Sequence, residues 1–164
     1  MSRFRIVALY IFLILLGGLL AFQVAPDVDS ALSVSTDVRL IPYDPKRPDV
    51  LVDQQLDRVC FRLHFHKVRD VVTWRRAVTI IAPDGTRHFS EEIDGRTGYS
   101  FSHQDSRAKG FIGDTPLCVI IPDNFDPSQG YAIEIFTQYE PMHHLWLIEQ
   151  TLPLIHVGPL GGVP

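Results

Sequence analysis

The side chains best able to do chemistry in this chain are its histidines and cysteines. Seven histidines occur in 164 residues. His64 and His66 are spaced i, i+2, so on a strand both rings project from one face and could hold one ion together. Zinc or copper suits imidazole donors, with His88, His103, His143, His144 or His156 as a third ligand. Adjacent His143 and His144 would point to opposite faces of a strand, so only one of them could join. No spacing fixes that third ligand. The plainer reading puts His64 and His66 on the solvated side of a half-buried strand, beside Arg62; a pH-responsive patch is the remaining use.

Other constellations are weaker. Asp123, Asn124 and Asp126 ahead of Gly130 carry oxygen ligands, but the calcium-loop alternation with a closing Glu is absent and turn chemistry accounts for the same residues. Ser106-Arg107-Ala108-Lys109 matches S-x-x-K, yet it lies in a Gly-bounded polar loop without its companion motifs. The sequence has no G-x-S-x-G, no H-E-x-x-H and no Gly-rich phosphate loop. The expectation is a protein that is not an enzyme and needs no cofactor, with a copper- or zinc-binding module or metallochaperone built on His64 and His66 as the alternative.

The elements that position these residues begin with a membrane segment. Ile6 to Ala25 contains Gln23 as its only strongly polar side chain, and twenty helical residues reach about 30 Å, the thickness of a bilayer's hydrocarbon core. A cleaved signal peptide is the competing reading, but its apolar region usually runs about 7–15 residues and ends in a small-x-small site. Here Gln23 and Pro26 flank Ala25. Arg3 and Arg5 precede the span, while Asp27 and Asp29 follow it, so the positive-inside rule predicts a cytoplasmic N-terminus. The rest of the chain would then lie in a bacterial periplasm, with the span in the inner membrane. Beyond the span, 13 basic side chains face 19 acidic ones, and with no Lys/Arg cluster this speaks against nucleic acid.

The remainder reads as strands. Residues 26–53 carry turn formers and Pro42, Pro45 and Pro48, which predicts a linker followed by an edge strand at Val38 to Ile41. From Val59 the period becomes two: Val59, Phe61, Leu63 and Phe65 share one side, Cys60, Arg62, His64 and His66 the other. Val71 to Ile81 is a second strand, and Pro83-Asp84-Gly85 turns it into a hairpin partner at Arg87 to Ile93. Further strands are expected at Tyr99 to His103, Thr115 to Ile121, Tyr131 to Tyr139, Leu145 to Ile148 and Leu152 to Val157. About seven to nine strands with breaks every 8–12 residues predict an all-β, antiparallel β-sandwich over residues 54–157.

Asp126-Pro127-Ser128-Gln129-Gly130-Tyr131 places a tyrosine at the start of an alternating strand after a tight turn. This resembles the tyrosine corner of immunoglobulin-like sandwiches, which implies that the Tyr131 ring packs inward and its hydroxyl bonds backbone slightly upstream. Export favours a disulfide between Cys60 and Cys118, since no C-x-x-C spacing marks a redox pair. The strand parity sets Cys60 opposite to the core face, so the bridge is not of the inter-sheet antibody type. Trp146, in a run without alternation, reads as part of a doubly buried strand or as an apolar edge awaiting a partner. Residues 158–164 carry no charge, so Trp146, Leu160 and Val163 are the expected contacts to a partner. The function these features predict is a membrane-anchored interaction or accessory subunit of a membrane or envelope complex.

Overall fold

The computed structural model describes residues 3–96, 98–100 and 109–159, with backbone alone for residues 3–5 and 115. The chain divides into two compact units, Met1–Leu32 and Ser33–Pro164. The first is one helix, α1 (Arg3–Ala31). Within it, Ile6–Ala31 contains an 18-residue stretch of mean hydropathy 2.5 with no buried residue, and is long and apolar enough to cross a membrane. The helix runs through Pro26 and ends six residues beyond Ala25, so a linker does not begin at residue 26 as the turn formers suggested. Three residues past Ala31, Val34 is already buried.

The second unit holds two antiparallel sheets. In one, β1 (Ser35–Ile41) and β2 (Val52–Gln54) pair with β3 (Arg58–Lys67). Here β3 pairs with β7 (Ile112–Ile120), and β7 with β6 (Glu92–Asp94), giving the order β1-β3-β7-β6. In the other sheet β4 (Val71–Ile81) lies between β5 (Arg87–Ser90) and β8 (Tyr131–Pro141). β9 (Ile148–Thr151) and β10 (Ile155–Val157) share the far side of β8, so the order is β10-β8-β4-β5.

Alternation explains how the sheets meet. Val59, Phe61 and Leu63 of β3 and Leu117 and Val119 of β7 form one buried cluster with Val78 and Ile80 of β4 and Ile133 and Ile135 of β8. Every second residue of β8 is buried from Tyr131 to Pro141, the period expected of a strand with one wet face. Burying each such aliphatic side chain contributes roughly 1.5–3 kcal/mol. An ion pair also ties the sheets together, with Arg76 Nη1 of β4 donating to Glu92 Oε1 of β6 at 2.6 Å.

Several expectations are corrected. The segment Arg87 to Ile93 is not one hairpin partner: it changes sheets at Glu91, whose carbonyl accepts from Ile120 N–H at 3.0 Å while the Ser90 hydroxyl bonds the Ile120 carbonyl. Leu145 to Ile148 is not a buried strand. Residues 142–147 connect β8 to β9, Leu145 is 61% exposed, and only Ile148 enters the sheet. His144 sits at φ 53, in the left-handed region, outside any strand. The strand expected at Tyr99 to His103 lies mostly outside the described residues; within them, Ser100 forms a single bridge to Ile93.

Candidate functional site

His64 stands at the centre of a charged row on the outer face of the first sheet. Asp114 lies directly opposite it on β7, and their side chains meet at 2.7 Å between Nδ1 and Oδ1. On the other side β1 slips register between Thr36 and Arg39, and within this bulge Asp37 adopts φ 54. Aspartate tolerates this left-handed state better than most residues, and the bulge brings its Oδ2 to 3.2 Å from His64 Nε2. Arg62 reaches Asp114 at 3.9 Å and Arg39 reaches Asp37 at 3.6 Å. Carboxylates only accept, so the ring satisfies both as a donor only when it carries a proton on each nitrogen. The row joins β1, β3 and β7 through side-chain contacts.

With both ring nitrogens of His64 turned to carboxylates, a metal would have to displace one of those contacts. The other histidines are scattered: His88 packs edge-on to Phe125 with centroids 5.2 Å apart, His143 and His144 lie in the β8–β9 connection, and His156 is on β10. His103 lies outside the described residues. Among the described residues, no group of three or more His, Cys, Asp or Glu side chains is placed to share an ion.

Cys60 and Cys118 are joined as a disulfide between neighbouring strands of one sheet, on the face away from the main core. Ile93, level with Cys118 on β6, buries the bridge together with Tyr43 and Ile120. Gly85, at φ 85, closes the β4–β5 turn: its N–H donates to the Ala82 carbonyl and Thr86 N–H donates to Asp84 Oδ1. Tyr131 is buried and packs edge-on to Phe125, but its hydroxyl accepts from Gln54 Nε2 of β2 at 3.4 Å. That partner lies 77 residues upstream, so the contact differs from the local backbone bond of a tyrosine corner. Burial pushes the Tyr131 phenol up to about 12, partly opposed by the Gln54 bond. Asp126 instead caps the short 3₁₀ turn Pro127–Gln129 through Ser128 N–H, which uses the carboxylate as turn chemistry.

Register places one more set of residues together. Ser35, Lys67, Ile112, Val71, Pro141 and Ile148 all lie at one end of the sheets, and Val34 is buried there against Val71, Tyr139 and Ile148. Val34 N–H donates to Gln150 Oε1, and its carbonyl accepts from Val68 N–H. Around it the chain exposes apolar side chains: Met142, in the β8–β9 connection, is 78% exposed and Ile112, at the start of β7, is 64% exposed. Trp146 lies here, half-buried, stacked on His143 with centroids 4.3 Å apart, while Leu145 N–H donates to His143 Nδ1. Leu160 and Val163, the other expected partner contacts, lie outside the described residues. Sequence reasoning did not group Met142, Leu145 and Ile112, because only pairing in space shows that they share an end.

Compared with known protein families, the chain matches no family model, and no curated protein matches it.

Proposed function

We propose that this chain is a single-pass membrane protein whose second unit, an immunoglobulin-like β-sandwich, works by binding as an accessory or assembly subunit of a membrane or envelope complex. The observation that carries this reading is the unburied apolar helix Ile6–Ala31, followed within three residues by the buried Val34 of a two-sheet module. The orders β1-β3-β7-β6 and β10-β8-β4-β5 support the immunoglobulin-like assignment, because they follow the ABED and GFC arrangement with β5 added beside β4 and with β2 and β9 pairing off these paths. Arg3 and Arg5 before the span support a cytoplasmic N-terminus and a periplasmic module in a bacterial inner membrane. The Cys60–Cys118 bridge suits that oxidising compartment.

The partner-facing surface in this reading is the β5 edge. Phe89 is 82% exposed there and lies beside a shallow depression lined by Ser90, Glu91, Ile120 and Pro122. An extended segment of another membrane or envelope protein can add to such an edge, with Phe89 as its side-chain anchor. The test is gentle detergent extraction from native membranes followed by native mass measurement. A larger assembly that loses its partner several-fold on Phe89→Glu supports the reading; a lone monomer contradicts it.

A further inference from the structure

Only two residues, Leu32 and Ser33, separate Ala31 at the end of α1 from Val34, so at most about 10 Å of extended chain joins the helix to the module. Beyond the apolar run ending at Ala25, the last six helical residues add about 9 Å. A headgroup layer takes up roughly 5–8 Å on each side of the hydrocarbon core. Val34 is therefore held within about 20 Å of the acyl boundary along the chain, whatever angle the helix takes.

The turns that share the end marked by Val34 have the composition of an interfacial surface. Met142, Leu145 and Ile112 are exposed, Phe111 is partly so, and Trp146 combines an apolar ring with a donor. Charge points the same way. The segments 67–71, 109–112 and 140–147 set Arg69 and Lys109 against Asp70 and Glu140, with Lys67 buried and its Nζ donating to the Val71 carbonyl, so this end is balanced, whereas everything after the span has 13 cations against 19 anions. Asp70 accepts from Lys109 N–H at 2.7 Å, and Glu140 meets His144 at 2.7 Å, so both carboxylates at this end are engaged. Elsewhere the acidic body is repelled by an anionic lipid surface.

We infer that this end is a lipid-docking surface: it rests in the headgroup–acyl boundary of the membrane that α1 crosses, with Met142, Leu145 and Trp146 inserted. The inference rests on the membrane-anchored reading and assigns Trp146 to lipid, not to a protein partner. Inserted side chains of this kind sit about 5–10 Å into the boundary, where tryptophan is favoured and Lys and Arg can keep their charged heads in water.

The full chain carrying Trp74→Phe, which leaves Trp146 as the single indole, is reconstituted into vesicles of equal parts phosphatidylcholine and phosphatidylglycerol. The docked state predicts a blue-shifted Trp146 emission, protected from iodide. It is quenched more by lipids brominated near the carbonyl end of the acyl chain than near the methyl end. Met142→Asp with Leu145→Asp, both at exposed positions, should remove that quenching while the protein still floats with the vesicles. Flotation without bromolipid quenching overturns the docking inference and leaves the anchor standing; so does protection from iodide and bromolipid together, which would mean a protein covers the loop. Failure of the folded chain to float overturns both.

Discussion

Cys60 and Cys118 occupy one register position of β3 and β7, with Cα atoms 4.1 Å apart, on the face turned away from Phe61 and Leu117. The bridge closes a separation of 58 residues, which in the chain-entropy model stabilises by roughly 4 kcal/mol. Because it lies outside the main core, its removal should weaken the module without changing the fold. Cys60→Ala with Cys118→Ala is expected to lower the urea midpoint while leaving the far-UV spectrum of the folded chain intact. Equal midpoints in oxidised, reduced and double-alanine proteins would refute the assignment.

Arg76 and Glu92 join the two sheets, and the Glu92 carboxylate is 7% exposed. Removing one member of a buried pair strands the other, at about 3–5 kcal/mol. Glu92→Ala should destabilise by an amount toward the low end of that range, since Arg76 keeps 29% of its side chain in solvent. Glu92→Gln, which still accepts a hydrogen bond, should recover part of the loss. Chemical denaturation of both variants checks this ordering.

Asp37 supplies its carboxylate from a left-handed backbone at φ 54. Asp37→Ala loses the contact to His64 and strains the bulge, whereas Asp37→Gly loses the contact and relaxes the backbone. The glycine variant should therefore be the more stable of the two by about 1 kcal/mol. The reverse order in thermal or urea unfolding would mean that β1 does not hold this bulge.

Tyr131 sets an alkaline limit. Its phenol ionises near 10.0 when unfolded and is held to about 12 by burial in the folded chain, so the folded state keeps a proton that the unfolded state has released. Stability is thus complete below pH 10 and falls as pH rises towards 12, at no more than about 1.4 kcal/mol per pH unit from this group. Burial also raises the Tyr139 phenol, which adds in the same direction. Tyr131→Phe should flatten that alkaline decline, read as urea midpoint against pH.

The parts of this fold that local periodicity controls could be read from the residues. The alternation of Val59, Phe61 and Leu63 against Cys60, Arg62 and His64 reports the face turned to the main core, and β4 keeps the bounds Val71–Ile81 that the sequence predicts. What depends on distant partners could not. The sheet change at Glu91 is made by Ile120, and the carboxylates around His64 come from Asp37 and Asp114 on two other strands. The run from Leu145 reads as a strand because its residues are hydrophobic, yet Leu145, Trp146 and Leu147 lie in the connection and only Ile148 pairs. The run from Asp126 to Tyr131 suggested a tyrosine corner because the local turn is right, while the hydroxyl's true partner, Gln54, is set by tertiary packing.

The proposed function requires an uncleaved span that holds the two-sheet module outside the cytoplasm. Intact mass of the carbonate-washed membrane protein, measured before and after protease is added to the outside of spheroplasts, tests this most directly. The prediction is a mass that includes residues 1–32, resistance to the carbonate wash, and loss of the module on external digestion. A mature chain that begins near Pro26, or a module that survives digestion until the cells are lysed, would contradict it.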